Sequence, residues 1–299
     1  MPELPDVTVY VEALRERILG HKLVRTLVRS PFLLRSIHPP LESFVNLAAV
    51  DVRRVGKRIA IGFENGGWLA LHLMIAGRLH WQTTPIKLSN RRMLAAFEFD
   101  NGSLTLTEAG AQHRAALYAA ADEAALRALD AGGIEPLEAT LPAFAGQLQS
   151  ANHTLKRALT DPHLFSGIGN AYSDEILHRA KLSPVSLTQK LTPEQIERLY
   201  HATRDSLAEW TDRLRADAKG KFPEKVTAFR DGMAVHGRYG QPCPVCGAKV
   251  QRIRYASNET NYCPRCQTNG RLLADRALSR LLREDWPKTP EELELRKRQ

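Results

Sequence analysis

The four cysteines of this 299-residue chain fall as Cys243-Pro-Val-Cys246 and Cys263-Pro-Arg-Cys266, two Cys-x2-Cys knuckles separated by sixteen residues. Four thiolates on two knuckles can surround one tetrahedral metal ion, and zinc is the ion such a donor set favours. The connecting stretch KVQRIRYASNETNYC alternates and turns like a β-hairpin. The competing reading is a redox dithiol pair, but no thioredoxin-like setting surrounds these cysteines. A cytosolic chain of this size also has little use for disulfides. Four thiolates leave no open position for a substrate, so this zinc is expected to be structural.

A second stretch with chemical potential is DPHLFSGIGNAYSDEIL, residues 161–177. Gly167 and Gly169 let the backbone turn tightly and approach a ligand. Their N–H groups, with those opening a helix after Asn170, suit a phosphate, and the Asn170 amide can join the same contact. A plain glycine-rich helix connection is the other reading of this loop. The chain start is also unusual. MPELPDV sets Pro2 and Glu3 immediately before an amphipathic helix, although chain beginnings are ordinarily loose and idle.

The elements that would hold these groups follow from periodicity. Val7, Tyr10, Val11, Leu14 and Ile18 recur at helical spacing and Gly20 stands at a C-cap position, so residues 5–19 are expected to be helical. From 21 to about 108 the period becomes two, and ENGG (64–67) and DNGS (100–103) mark turns. An antiparallel sandwich or barrel is expected there. An Ala-rich piece, 111–131, reads as helical, and 142–219 reads as helical throughout. Within it Thr192-Pro193-Glu194-Gln195 has a capping threonine, a proline at the first helical position and a capping-box glutamine. The spacing of LLADRALSRLLREDW, after 271, predicts a charged helical tail.

The formal charge is +9. Residues 1–60 hold ten Lys/Arg against six Asp/Glu, residues 221–271 hold nine against three, and the remainder sums to −1. Two distant segments therefore carry the whole excess, as expected if both face a polyanion, although a solvated basic surface would look the same. No apolar run reaches the ~18–20 residues of a membrane span, and no secretory signal opens the chain. The expected compartment is the cytoplasm.

The helix–loop–GIGN–helix stretch resembles the helix–two-turn–helix motif of the formamidopyrimidine-DNA glycosylase and endonuclease VIII family. So do the start MPELPDV, the turn GGIEPL, the segment HGRYGQPC and the closing CPVC…CPRC ribbon, in the family's order from residue 1 to about 267. The resemblance implies an enzyme that excises oxidised bases from DNA and cleaves the backbone at the resulting abasic site. It implies that Pro2, exposed by loss of Met1, attacks C1′ with its secondary amine to give a cationic iminium, an electron sink for β- and δ-elimination. Free α-amino groups titrate near ~7.7–8, so part of this amine is nucleophilic at neutral pH. Glu3 is implied as the acid/base that opens the sugar ring. Lys57, in RRVGKRIAIGF, matches a lysine that touches phosphate beside the lesion; taken alone it is one of several basic residues on a strand. His72, in LALHLMIAG, matches a histidine that supports a phosphate contact, where a core histidine is the plainer reading. Gly167, Gly169, Asn170 and His236 complete the DNA-facing set, His236 occupying a slot that is tyrosine in close relatives.

Two departures bear on substrate. The family's zinc hairpin carries an arginine in a Gln-Arg-x-Thr turn, and here Ser257-Asn258-Glu259-Thr260 puts Asn258 in its place. Arg252 and Arg254 are candidates to replace that phosphate grip. The family fills the void left by a flipped base with a methionine after the strand histidine and an Arg/Phe pair. Here the first segment reads His72-Leu73-Met74-Ile75-Ala76-Gly77, in uncertain register, and Thr107–Arg114 lacks the pair. A preference for abasic or poorly stacked sites over 8-oxoguanine in duplex is therefore expected, because unpairing a base costs a few kcal/mol.

The expected fold is multidomain α+β. It comprises an N-terminal helix plus antiparallel β-sandwich (1–135), a helical helix–two-turn–helix domain (136–225), a zinc-ribbon hairpin (226–270) and a charged helical tail (271–299). The expected activity is that of a DNA glycosylase with abasic-site lyase chemistry. An abasic-site lyase with little glycosylase activity and a catalytically silent damage-binding protein are the alternatives. One structural zinc, no organic cofactor, DNA as partner, no membrane, a monomer and a place on the bacterial nucleoid complete the expectations.

Overall fold

The computed structural model describes residues 1–84, 86, 92–109, 113–224, 226, 230–255, 258–274 and 286–297. By internal contacts the chain divides into two compact units, Met1–Ala131 with Glu209–Ala228, and Gly132–Ala208 with Phe229–Gln299.

In the first unit, helix α1 (Leu4–Ile18) begins at Glu3, whose side chain accepts from the Asp6 backbone while Asp6 accepts from the Glu3 N–H. This reciprocal pairing satisfies two of the amides that a helix start leaves over. The helix buries Val7, Tyr10, Leu14 and Ile18 completely, as its spacing requires. Two four-stranded antiparallel sheets follow. The first orders β1 (Leu23–Val28), β6 (Met93–Phe99), β7 (Gly102–Glu108) and β5 (Gly77–Gln82); the second orders β2 (Ala49–Val55), β3 (Arg58–Phe63), β4 (Trp68–His72) and β8 (Ala116–Ala120). Ile59, Ile61, Leu69 and Leu71 of the second sheet share one core with Leu79, Phe97, Leu104 and Leu106 of the first and with the apolar stripe of α1. This is the expected sandwich, and alternation along each strand builds it. The DNGS turn is a two-residue hairpin, since Phe99 pairs directly with Gly102.

The Ala-rich piece 111–131 departs from its helical expectation. It forms β8 and only a short α2 (Glu123–Arg127). Ala116, Leu117, Ala119 and Ala120 are all buried, and pairing to β4 outweighs alanine's preference for helix. The same unit takes in the end of α6 (Pro193–Ala218). There Arg215 pairs with Glu12 and Asp212, and Phe222 rests 5.7 Å from the Tyr10 ring.

The second unit holds α3 (Leu141–Gln149), α4 (Leu155–Thr160), α5 (Asn170–Arg179) and the start of α6. The cap of α6 is the one its sequence predicts: Gln195 N–H donates to Thr192 Oγ1 at 3.3 Å, and Thr192 N–H to Gln195 Oε1 at 3.0 Å. The ribbon follows as β9 (Gln251–Tyr255) paired with β10 (Asn258–Tyr262), then α7 (Pro264–Thr268). Beyond it, Leu272 N–H donates to Lys288 O at 2.8 Å and Leu273 N–H to Tyr262 Oη at 2.8 Å. The chain therefore returns to the ribbon before α8 (Pro290–Lys297). Most of the LLADRALSRLLREDW stretch lies outside the described residues.

Candidate functional site

The start of the chain is a built environment. Pro2 and Glu3 are buried, and the capping box fixes the backbone that carries them. Burial holds the Met1 amine below the ordinary value for an α-amino group; Glu3 and Asp6 oppose this, while Arg78 and Lys57 add to it. The charged form is thus disfavoured, which leaves more free amine at neutral pH. Lys57 stands in the two-residue turn between β2 and β3, because Val55 pairs with Arg58; it is a hairpin-tip residue rather than a strand residue. His72 ends β4 opposite Arg58. Burial first, then Arg58 and Lys57, pull its imidazole down to about 4, so it is neutral at working pH and offers a hydrogen bond without a charge. Arg78 carries no signal in its own segment. It follows the β4–β5 turn and donates to Gly77 O at 2.7 Å, and only its field at the amine marks it.

That turn also resolves the register of the apolar tip. Gly77 N–H closes onto Leu73 O at 2.9 Å, and a Cβ at Gly77 would meet that oxygen at 2.3 Å, so glycine is required there. Met74 takes a left-handed φ of 50°, Leu73 is buried, and Ile75 is the residue presented outward, 58% exposed. Of the Thr107–Arg114 loop, residues 110–112 lie outside the described residues. Its flank is held by Glu108, which accepts from the Arg114 and Ala115 N–H groups at 3.1 Å each.

In the second unit, Gly167 has φ 78°, a left-handed value that only glycine adopts without strain, and Gly169 caps α5. The Asn170 amide donates to Glu259 O at 2.9 Å. It therefore ties the loop to the ribbon. Two more side chains of α5 hold the ribbon and the loop that leads into it. Asp174 takes Lys156 Nζ at 2.5 Å, His236 Nδ1 at 2.8 Å and Asn261 N–H at 3.2 Å. Glu175 accepts from the backbone N–H groups of Ala234, Val235 and His236 at 2.7–2.9 Å; burial nevertheless raises its pKa. His236 is 7% exposed, and its Nδ1 meets Asp174, a bond that orders the HGRYG loop from within. On the hairpin, Glu259 pairs with Arg252 at 3.0 Å and lies 3.8 Å from Arg254. Arg252 also stacks on Tyr239 at 4.0 Å. Arg254, 63% exposed, and the exposed Asn258 face solvent, while the turn residues 256–257 lie outside the described residues.

The cysteines converge. Cys246 Sγ lies 3.4 Å from Cys263 Sγ, and Cys243 Sγ lies 3.9 Å from Cys266 Sγ. A tetrahedron with Zn–S of about 2.3 Å has edges of about 3.8 Å, so the donors fit zinc. Burial pushes the Cys263 thiol up to about 11 and the Cys266 thiol higher still. Thiolates persist there only with a cation among them. His178, which sequence spacing does not flag, brings Nε2 to 3.2 Å from Cys243 Sγ. No described helix is long and apolar enough to cross a membrane.

Comparison with known proteins agrees with this geometry. The family patterns described as formamidopyrimidine-DNA glycosylase N-terminal domain, formamidopyrimidine-DNA glycosylase H2TH domain, and zinc finger found in FPG and IleRS match residues 1–111, 133–214 and 240–269. The formamidopyrimidine-DNA glycosylase of Thermus thermophilus is 33% identical over 276 residues, covering 90% of this chain and 100% of the relative. That of Pelotomaculum thermopropionicum is 31% identical over 280 residues, covering 89% and 99%. The crystal structure of the MutM (FPG) protein from Thermus thermophilus superposes with a TM-score of 0.73 at 30% identity, over 89% of this chain and 98% of that one. Lactococcus lactis FPG in complex with a FAPY-dG-containing DNA shares the fold, with a TM-score of 0.79 at 23% identity over 89% and 100%. The chain belongs to the formamidopyrimidine-DNA glycosylase family and is a base-excision DNA-repair glycosylase with one structural zinc.

Proposed function

We propose that this glycosylase removes damaged bases and then cleaves the abasic site through an iminium formed on Pro2. The observation that carries the reading is the built chain start: Pro2 and Glu3 are buried, the capping box fixes Glu3 at the head of α1, and the Met1 amine just ahead of them is held low by burial, Arg78 and Lys57. Once Met1 is removed, the Pro2 nitrogen attacks C1′ while Glu3 moves a proton to the opening sugar ring. The adduct is already cationic, because the nitrogen is secondary, and it acidifies C2′ for elimination of the 3′ and then the 5′ phosphate. Lys57 and neutral His72 hold phosphate beside the lesion. Gly167 and Gly169, opening α5, and Arg254 and Asn258 on the ribbon bind the backbone elsewhere. Asn170, His236 and Arg252 support those elements through the bonds described above. Cys243, Cys246, Cys263 and Cys266 hold the zinc.

Ile75 is the apolar residue placed to enter the stack when a base leaves. A single short wedge and an asparagine at position 258 support a preference for abasic or poorly stacked sites over 8-oxoguanine in duplex. Such a substrate places the work on the nucleoid. Borohydride trapping on an abasic duplex, with mass spectrometry of the adduct peptide, tests the reading: it is expected on Pro2. An adduct on a lysine would move the nucleophile, and tight binding with no adduct would make the protein a damage binder.

A further inference from the structure

Asn170, Asp174, Glu175 and His178 repeat along α5, and each reaches the ribbon or the loop leading into it. The first three meet backbone groups or side chains there. His178 alone reaches the metal cage. It is 6% exposed, and its donor nitrogen lies within 4.8 Å of the sulfurs of Cys243, Cys263 and Cys266. His178, Cys243, Cys263 and Cys266 thus lie within mutual reach, with Cys246 beside Cys263 as a fifth donor, whereas a structural zinc takes four. The two knuckles already supply four, and Cys246 is drawn in against Cys263 rather than turned away.

We infer that His178 is not a ligand but donates its Nε2–H to the zinc-bound thiolate of Cys243, a positioning residue that fastens α5 to the metal centre. Four thiolates outweigh the charge of the zinc, and buried excess charge is costly unless hydrogen bonds take it up. A thiolate accepts and does not donate, so it selects the imidazole tautomer with hydrogen on Nε2. Groups that bond to metal ligands in this way orient them and raise metal affinity. The inference rests on the four-cysteine ligand set, and the two can fail separately.

The full chain loaded with an NMR-active cadmium isotope in place of zinc decides it. The expected result is a four-sulfur cadmium shift, with scalar coupling from cadmium through Cys243 Sγ to the imidazole Hε2. A three-sulfur, one-nitrogen shift with coupling directly to ring nitrogen would overturn both the ligand set and the inference. A four-sulfur shift without coupling to Hε2 would overturn the inference alone. In chelator competition, His178→Phe is expected to lose about 10–100-fold in zinc affinity, with His178→Gln, which keeps an N–H donor, recovering part of it. Wild-type affinity in His178→Phe would also overturn the inference. If that variant fails to fold, the cadmium coupling in the unaltered chain still decides.

Discussion

Glu3 has two duties that a single substitution separates. Its carboxylate caps α1 and also stands beside the terminal amine. Glu3→Gln keeps an acceptor for the Asp6 N–H, so stability should fall by no more than about 1 kcal/mol. Base excision should fall by about 10²–10⁴-fold, the usual worth of a positioned acid/base. Single-turnover excision beside thermal melting checks both. The amine gives a pH signature of known sign. The Met1 amine is held low at this place by burial, and the same surroundings act on a Pro2 amine once Met1 is gone, so borohydride trapping should rise with pH and level off below the ordinary α-amino midpoint of about 8. His72, held at about 4, stays neutral throughout that range and should add no second break, so His72→Gln should lower the trapping rate without moving the midpoint. A midpoint that moves in this variant would show His72 titrating where burial forbids it.

At the scale of elements, α5 and the ribbon hairpin give opposite tests. Asp174 has a side chain 0% exposed and bonds Lys156 and His236. Asp174→Asn leaves the Lys156 ammonium without its counter-charge and should cost about 3–5 kcal/mol in urea unfolding, as breaking a buried pair does. On the hairpin, Arg254→Ala should weaken DNA binding and lower the slope of log K against log salt by about 0.9, one phosphate contact. Asn258→Arg should strengthen binding, since a charge-assisted phosphate bond is about twice as strong as a neutral one. Much of this level was legible in the chain. Period-two alternation gave the strands, Thr192 and Gln195 gave the start of α6, and the knuckle spacing gave the metal centre. What escaped depends on residues far apart in sequence. β8 is a strand because β4 needs a neighbour, and 116–120 carries too little pattern to say so. Lys57 looks like a strand residue until the Val55–Arg58 pairing makes it a turn. Arg78 and His178 are ordinary in their own segments and acquire roles only from the amine and from Cys243. The bonds of His236 and Asn170 to Asp174 and Glu259 were hidden too, since those partners lie 62 and 89 residues away.

For the whole molecule, metal and charge set the conditions of work. Chelation should release about one zinc per chain and abolish DNA binding, and the first unit, whose core uses no cysteine, should keep its sheet signature in circular dichroism. The positive surplus divides between residues 1–60 and 221–271, which fall mainly in different units, so affinity should drop steeply with salt for any DNA, damaged or not. The polar contacts of α5 also fix a timetable. Lys156 precedes Asp174 by 18 residues, whereas Ala234, the first backbone donor to Glu175, follows it by 59, and Asn261 follows Asp174 by 87. A ribosome adding about 5–20 residues per second needs roughly 3–17 s to deliver those later partners. For that interval α4 and α5 emerge with one ion pair made and the Glu175 carboxylate still in water. The nascent helix pair stays soluble by the same carboxylate that the finished protein buries, and a transcript truncated before Ala234 releases a chain that can never put Glu175 away.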